Sequence, residues 1–119
     1  MNTFWTDSLI WFKELSKCTK GRHVIKCKLE MPRGANVISI TKGETRILLH
    51  AIINGDSVNE VETHEFVIYV INLTTCSDSK NSSSDGLIIH DQTFEFLNTL
   101  SLENYGEEQI IHVFHKKDP

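Results

Sequence analysis

Apolar residues near the N-terminus follow the spacing of an amphipathic helix. Trp5, Leu9 and Phe12 recur at intervals of four and three residues, which places them on one face of a helix. Gly21 follows the last apolar position and is a common helix stop. The pattern therefore predicts a helix over residues 3–17, whose wide apolar face covers a sheet.

Alternation of apolar and polar residues predicts strands along much of the remaining chain. Residues 23–31 alternate cleanly, as in a strand with one solvent-exposed face. Residues 45–53 and 63–75 are apolar on both faces, so we expect these strands to be central. The predicted strands are residues 23–31, 36–41, 45–53, 63–75, 87–90 and 109–115.

Residues 91–104 fit two structures. Phe94, Leu97 and Leu100 recur every three residues and predict a short helix over residues 92–103. The alternation at Phe94-Glu95-Phe96 would instead extend the preceding strand. We favour the helix.

The order of these elements predicts an α+β fold. An N-terminal helix packs on a mainly antiparallel, twisted sheet of about six strands, with a short second helix before the last strand. Residues 1–119 are expected to form a single domain, in which residues 77–86 are a flexible polar loop.

Composition is typical of a globular chain, with 39% hydrophobic and 24% charged residues in 119. The N-terminus has no basic region before its apolar residues, and no run approaches the length that spans a bilayer. We therefore expect a cytoplasmic protein with no membrane partner. Three cysteines without a Cys-x-x-Cys motif predict reduced thiols rather than disulfides or a zinc site.

Charge is divided unevenly along the chain. Residues 1–50 contain most of the lysines and arginines, and residues 51–119 contain most of the 16 acidic residues. An acidic surface speeds encounter with a basic protein and disfavours nucleic acid. The alternative is a solvated acidic loop. The predicted partner-binding residues are Asp56, Glu60, Glu62 and Glu65, extended by Glu103, Glu107 and Glu108 if the fold brings them near.

Five histidines are the remaining candidates for chemistry. His50, His64 and His90 each lie in or beside a predicted strand, where a general base is one interpretation and a hydrogen-bonded core residue the other. His112 and His115 lie three residues apart on a predicted strand, so they should face opposite sides and form no metal site. No glycine-rich phosphate loop, calcium loop or nucleophile motif is present. We therefore predict no catalytic residues, metal or cofactor.

In size, acidity, strand-rich build and absence of motifs, the chain resembles small bacterial immunity proteins, including those of contact-dependent growth inhibition systems. Such proteins share no common motif, so the resemblance assigns no residue roles. It implies a partner toxin, possibly a nuclease, whose cationic cleft is blocked by carboxylates in place of substrate phosphates.

We therefore expect a non-enzymatic, protein-binding domain of the immunity type, acting as a monomer or weak homodimer. Two alternatives stay open. One is a small-ligand-binding or enzymatic domain with a histidine in a pocket. The other is a structural or accessory dimer subunit.

Overall fold

The computed structural model of the chain describes residues 1–57, 59–73 and 93–117. These residues form strands almost throughout, with one short α-helix and one turn of 3₁₀ helix at Gly55–Ser57. No helix in this described part has the length and apolar character needed to cross a membrane. The elements are β1 (Asn2–Trp11), α1 (Phe12–Leu15), β2 (Arg22–Pro32), β3 (Asn36–Lys42), β4 (Arg46–Asn54), β5 (Val61–Asn72), β6 (Glu95–Asn104) and β7 (Glu107–Lys117).

The strands form two antiparallel sheets. The three-stranded sheet has the order β1-β4-β3, and the four-stranded sheet has the order β2-β5-β7-β6. Alternate residues of the central strands are fully buried, as the period of two in a strand requires. Residues from both sheets form one continuous apolar core, so the sheets pack on each other through these faces. Its fully buried residues include Ile47, Leu49 and Ala51 of β4 and Phe66, Ile68 and Val70 of β5.

The predicted helix over residues 3–17 is wrong. Most of that segment is β1, which pairs with β4 from Asn2 opposite Asn54 to Trp11 opposite Arg46, and only Phe12–Leu15 is helical. An interval of four residues returns to the same face in a strand as well as in a helix. A bulge near Leu9 then buries two successive residues, which imitates a helical stripe.

The predicted helix over residues 92–103 is also wrong. Glu95–Asn104 forms β6, which pairs with β7 along its length. Leu97 lies in a bulge between Phe96 and Asn98 that shifts the alternation by one residue, so Leu97 and Leu100 both pack against the core at a three-residue interval. Gly106, with φ of 82°, belongs to a two-residue hairpin turn and does not end a helix.

The predicted α+β fold is therefore corrected to a mainly β fold of two antiparallel sheets. The strands predicted over residues 23–31, 36–41, 45–53 and 109–115 are present, and β5 ends at Asn72. The predicted strand at residues 87–90 and the polar loop at residues 77–86 lie outside the described residues. The extent of the single domain stays a prediction.

Three buried amide side chains hold the connection between β1 and β2 against the four-stranded sheet. Each donates a hydrogen bond to a backbone carbonyl of this connection, which has little regular structure of its own. The donors are Asn72, Gln109 and Asn104, and the acceptors are the carbonyls of Cys18, Leu15 and Phe12, at 2.7, 3.2 and 2.9 Å. The cluster therefore fixes Trp11 and Phe12 beside the β6–β7 turn.

Candidate functional sites

Four residues of the predicted acidic patch lie close to cations of the chain, of which Glu62 lies 3.3 Å from Lys117. The carboxylate of Asp56 lies 3.7 Å from the N-terminal ammonium. Glu60 accepts a hydrogen bond from Arg33 at 2.8 Å, and the Glu65 carboxylate lies 3.9 Å from the Lys28 ammonium. Exposed pairs of this kind add little stability. They do reduce the negative potential that these residues present to a partner.

The predicted partner-binding residues of β5, β6 and β7 lie in two groups at opposite ends of the four-stranded sheet, whereas Asp56 follows β4 of the three-stranded sheet. In the pairing of β5 with β7, His64 is opposite Lys117 at one end and Asn72 is opposite Gln109 at the other. Glu62 and Glu65 lie at the first end, and Glu103, Glu107 and Glu108 lie at the second. At the usual rise per residue, the ends are about 30 Å apart. The fold therefore does not join the two groups.

The β6–β7 hairpin tip, residues 103–108, places two carboxylates side by side. Glu103 and Glu108 are direct partners in the strand register, and both are exposed. Among the described residues, no cation lies within ion-pair distance of either. Like charges directly opposite in a strand pair are destabilising. Glu103 and Glu108 thus carry negative charge that no ion pair among the described residues neutralises.

Tyr105 occupies the turn between these carboxylates in an unfavourable backbone conformation. Its φ is 51°, in the left-handed region that glycine and asparagine prefer. Tyr105 is 74% exposed, so burial of the side chain does not offset this cost. Non-glycine residues held in this way are concentrated at functional sites.

A groove of about 460 Å³ lies beside the hairpin tip. Trp11 and Tyr105 supply its aromatic surface, and Lys13 and Glu44 supply charged groups. Trp11 is 48% exposed, and the Arg46 guanidinium lies 4.9 Å from the centre of its ring. The sequence did not indicate this site, because residues 3–17 were predicted to form a helix whose apolar face covers a sheet. The signal available in the sequence was the Tyr105-Gly106 pair, because a glycine at this position favours a two-residue hairpin turn.

A second cluster joins Glu62, His64 and His115 at the other end of the four-stranded sheet. His64 is fully buried, and its Nε2 atom lies 2.6 Å from the Glu62 carboxylate. Its Nδ1 atom lies 2.6 Å from Nε2 of His115. The two rings are inclined by only 10°, with centroids 4.9 Å apart. That separation matches two rings meeting edge to edge across the nitrogen contact, so they form an in-plane hydrogen bond.

Burial and neighbouring charges shift the acidities in this cluster. Burial alone raises the pKa of Glu62, but hydrogen bonds from Gly34, His64 and Lys117 outweigh it, so the pKa is lowered. Burial lowers the pKa of His115 to about 4, and the charges of His64 and Lys117 act in the same direction. The Glu62 side chain is only 13% exposed, so it serves mainly as a hydrogen-bond acceptor within the chain and contributes little to an exposed acidic surface.

The other predicted histidines have separate surroundings. His50 bridges neighbouring strands of the three-stranded sheet, with Nδ1 3.1 Å from Thr6 Oγ1 and Nε2 2.6 Å from Thr41 Oγ1. His112 bonds to Thr99 on the face of β7 opposite to that of His115, as the strand prediction required. His90 lies outside the described residues.

Neither metal binding nor thiol chemistry gains support from the described side chains. Within residues 1–57, 59–73 and 93–117, no three or more His, Cys, Asp or Glu side chains are placed to hold a metal ion. Cys18 and Cys27 are thiols, and burial raises the pKa of Cys27 to about 11. Cys76 lies outside the described residues.

No protein-family model, curated protein or solved structure matches this chain. The interpretation of its sites therefore depends on its own residues. The resemblance to immunity proteins stays a prediction, as does a cytoplasmic location.

Proposed function

We propose that this chain is a non-enzymatic binding domain that captures a basic protein partner at the β6–β7 hairpin tip and the adjoining groove. The observation that carries the proposal is the facing pair of exposed carboxylates, Glu103 and Glu108, beside the exposed Tyr105 ring. In the immunity-type form of this function, the partner is a toxin or nuclease domain that the chain neutralises.

The hairpin tip gains more from a cation than an ordinary surface carboxylate does. A lysine or arginine placed between Glu103 and Glu108 relieves their mutual repulsion and forms charge-assisted hydrogen bonds to both. Neither carboxylate must first give up an ion pair within the described chain. Asp56, Glu60 and Glu65 are already close to cations, so a partner would have to compete for them.

The groove supplies the apolar part of the surface. Tyrosine, tryptophan and arginine are the residue types most enriched among those that dominate protein-binding energies. Tyr105, Trp11 and Arg46 are grouped here, and the buried amide cluster holds the backbone beside Trp11 in place. A fixed surface of this kind loses little conformational freedom on binding.

The alternative of a histidine-based active site is less well supported. Both ring nitrogens of His50 and His64 are engaged by other side chains of the protein. A general base needs a nitrogen within reach of the substrate proton.

The test first isolates the partner from the source cells and identifies it. The dissociation constant is then measured for the purified pair at low and high salt. We expect Glu103→Gln with Glu108→Gln to weaken binding by about tenfold at low salt and to flatten the salt dependence.

The matched control is Glu60→Gln with Glu65→Gln, which removes the same charge from the other end of the sheet. We expect it to change the affinity by less than about threefold, since those carboxylates are internally paired. Equal effects of the two double variants would contradict the assignment of the hairpin tip. Failure to recover any basic protein would contradict the function itself.

A further inference from the structure

The hydrogen bonds of the Glu62–His64–His115 cluster determine where its protons lie. An ionised Glu62 carboxylate accepts a hydrogen bond from Nε2–H of His64, which leaves a lone pair on Nδ1 of that ring. This lone pair accepts Nε2–H of His115 at 2.6 Å. In this state both histidines are neutral, and every facing nitrogen has a partner.

One added proton leaves the contacts intact. The proton shared by the two rings moves to Nδ1 of His64, which becomes an imidazolium beside the Glu62 carboxylate. The added proton binds Nδ1 of His115, so this ring stays neutral and accepts the same hydrogen bond through Nε2. The direction of the bond is reversed, but its atoms stay in place.

No arrangement of these hydrogen bonds accommodates a second added proton. Both facing nitrogens would then carry hydrogens across a 2.6 Å gap, and two cationic rings would lie edge to edge. The hydrogen bond must break. Since Nδ1 and Nε2 of His64 face His115 and Glu62, and His64 itself is fully buried, the partly exposed His115 is the ring that can move away.

We propose that the Glu62–His64–His115 cluster is an acid-sensitive latch, in which binding of the second proton releases the C-terminal end of β7 from β5. The release follows from the positions of the rings, because His64 and His115 lie on neighbouring strands, near the last register pair of those strands, His64 with Lys117. The latch is about 30 Å from the hairpin tip, so it does not depend on the proposed binding function.

The charged neighbours of the latch favour opening at low pH. On β7, the Lys117 ammonium lies 3.3 Å from the Glu62 carboxylate and repels a cation on His115. On β6, Glu95 is opposite His115, but it is exposed and solvent screens its attraction. On β2, Leu29 and Met31 lie opposite His64 and Glu62 and add no charge. Arg33, directly after β2, adds a positive charge that interacts with the Glu62 carboxylate. The pKa of His115, about 4, places the second proton well below neutral pH.

The sign of the stability change follows from this lowered pKa. The unfolded chain binds a proton at His115 near pH 6.5, whereas the folded chain resists it down to about pH 4. The contribution of the latch is therefore fully present above pH 6.5. This contribution is lost as the pH falls from 6.5 towards 4. The equilibrium constant for folding decreases by up to about tenfold per pH unit in this range.

The experiment follows the histidine ring resonances of the full chain by NMR from pH 7.5 to pH 3.5, with amide hydrogen exchange measured on the same samples. We expect His115 to take up a proton in a step near pH 4. At that step, amide protection at residues 113–117 should fall at least about tenfold, while Leu49 of β4 stays protected.

His115→Gln tests the mechanism directly. A glutamine amide donates to His64 Nδ1 in one orientation and accepts from it in the other, so it satisfies both protonation states of His64. We expect this variant to lose the acid step at residues 113–117. The control His112→Gln changes a histidine on the opposite face of β7 and should keep it.

Three results would overturn the latch. One is titration of His115 near pH 6.5, the ordinary value for histidine. Another is unchanged protection at residues 113–117 through the acid step. The third is an acid step that persists in a folded His115→Gln variant. The wild-type titration decides the matter if that variant does not fold.

Discussion

The Asn72→Asp substitution replaces the side-chain NH₂ group of a central member of the buried amide cluster by an oxygen. The Asn72 side chain is fully buried, and its nitrogen donates to the carbonyls of Cys18 at 2.7 Å and Gly21 at 3.2 Å. Its oxygen accepts from Gln109 at 2.9 Å. Aspartate keeps the shape and this last contact, but it presents an oxygen to two carbonyl oxygens.

The expected cost combines two effects. Each lost hydrogen bond is worth about 1 kcal/mol, and a buried carboxylate without a cation adds several kcal/mol more. We expect the free energy of unfolding at pH 7 to fall by about 3–5 kcal/mol, which is a large part of the stability of a typical domain.

The pH dependence of this loss has a definite sign. Burial and the facing carbonyls disfavour the charged form, so the pKa of the introduced aspartate is raised in the folded state. A protonated aspartate can donate to the Cys18 carbonyl and recover part of the contact. The loss is therefore smallest below the unfolded pKa of about 3.9, and it grows by up to about 1.4 kcal/mol per pH unit above it.

The assay is urea denaturation of the variant and the wild type at several pH values, compared as a difference at each pH. Asn36→Asp is the matched control, since Asn36 is exposed at the start of β3. We expect the control to change the free energy of unfolding by less than about 0.5 kcal/mol. A loss below about 1 kcal/mol for Asn72→Asp at pH 7, or one that does not shrink with acid, would refute the role given to the amide cluster.

Two further variants test the turn and the core. Tyr105→Asn creates the Asn-Gly pair that this hairpin turn prefers, so it should raise the free energy of unfolding by about 1 kcal/mol in thermal denaturation while weakening partner binding; a less stable variant would argue against strain at this position. Leu49→Ala opens a cavity at a fully buried site and should cost about 2–5 kcal/mol in urea denaturation, against less than about 1 kcal/mol for Leu73→Ala at an exposed site; equal costs would contradict the assigned core.

Local alternation is enough to identify a strand wherever that alternation is unbroken. In β2, Ile25, Cys27 and Leu29 face the core, while Lys26 and Lys28 face solvent. A period of two maintained over nine residues has no helical equivalent, so the local pattern is sufficient there. It failed at β1 and β6, because a bulge in each strand shifts the alternation into intervals that a helix also produces.

The tertiary structure alone decided which charges remain available and which side chains work together. Arg33 reaches Glu60, and His64 meets His115, across 27 and 51 positions of the chain. The sequence identified the acidic residues and the histidines, but it did not show their partners. Local alternation determines which side of a strand each residue faces, whereas strand order and register determine what lies opposite it. Strand order and register depend on pairing between distant segments, and the residue pattern of a single strand does not specify them.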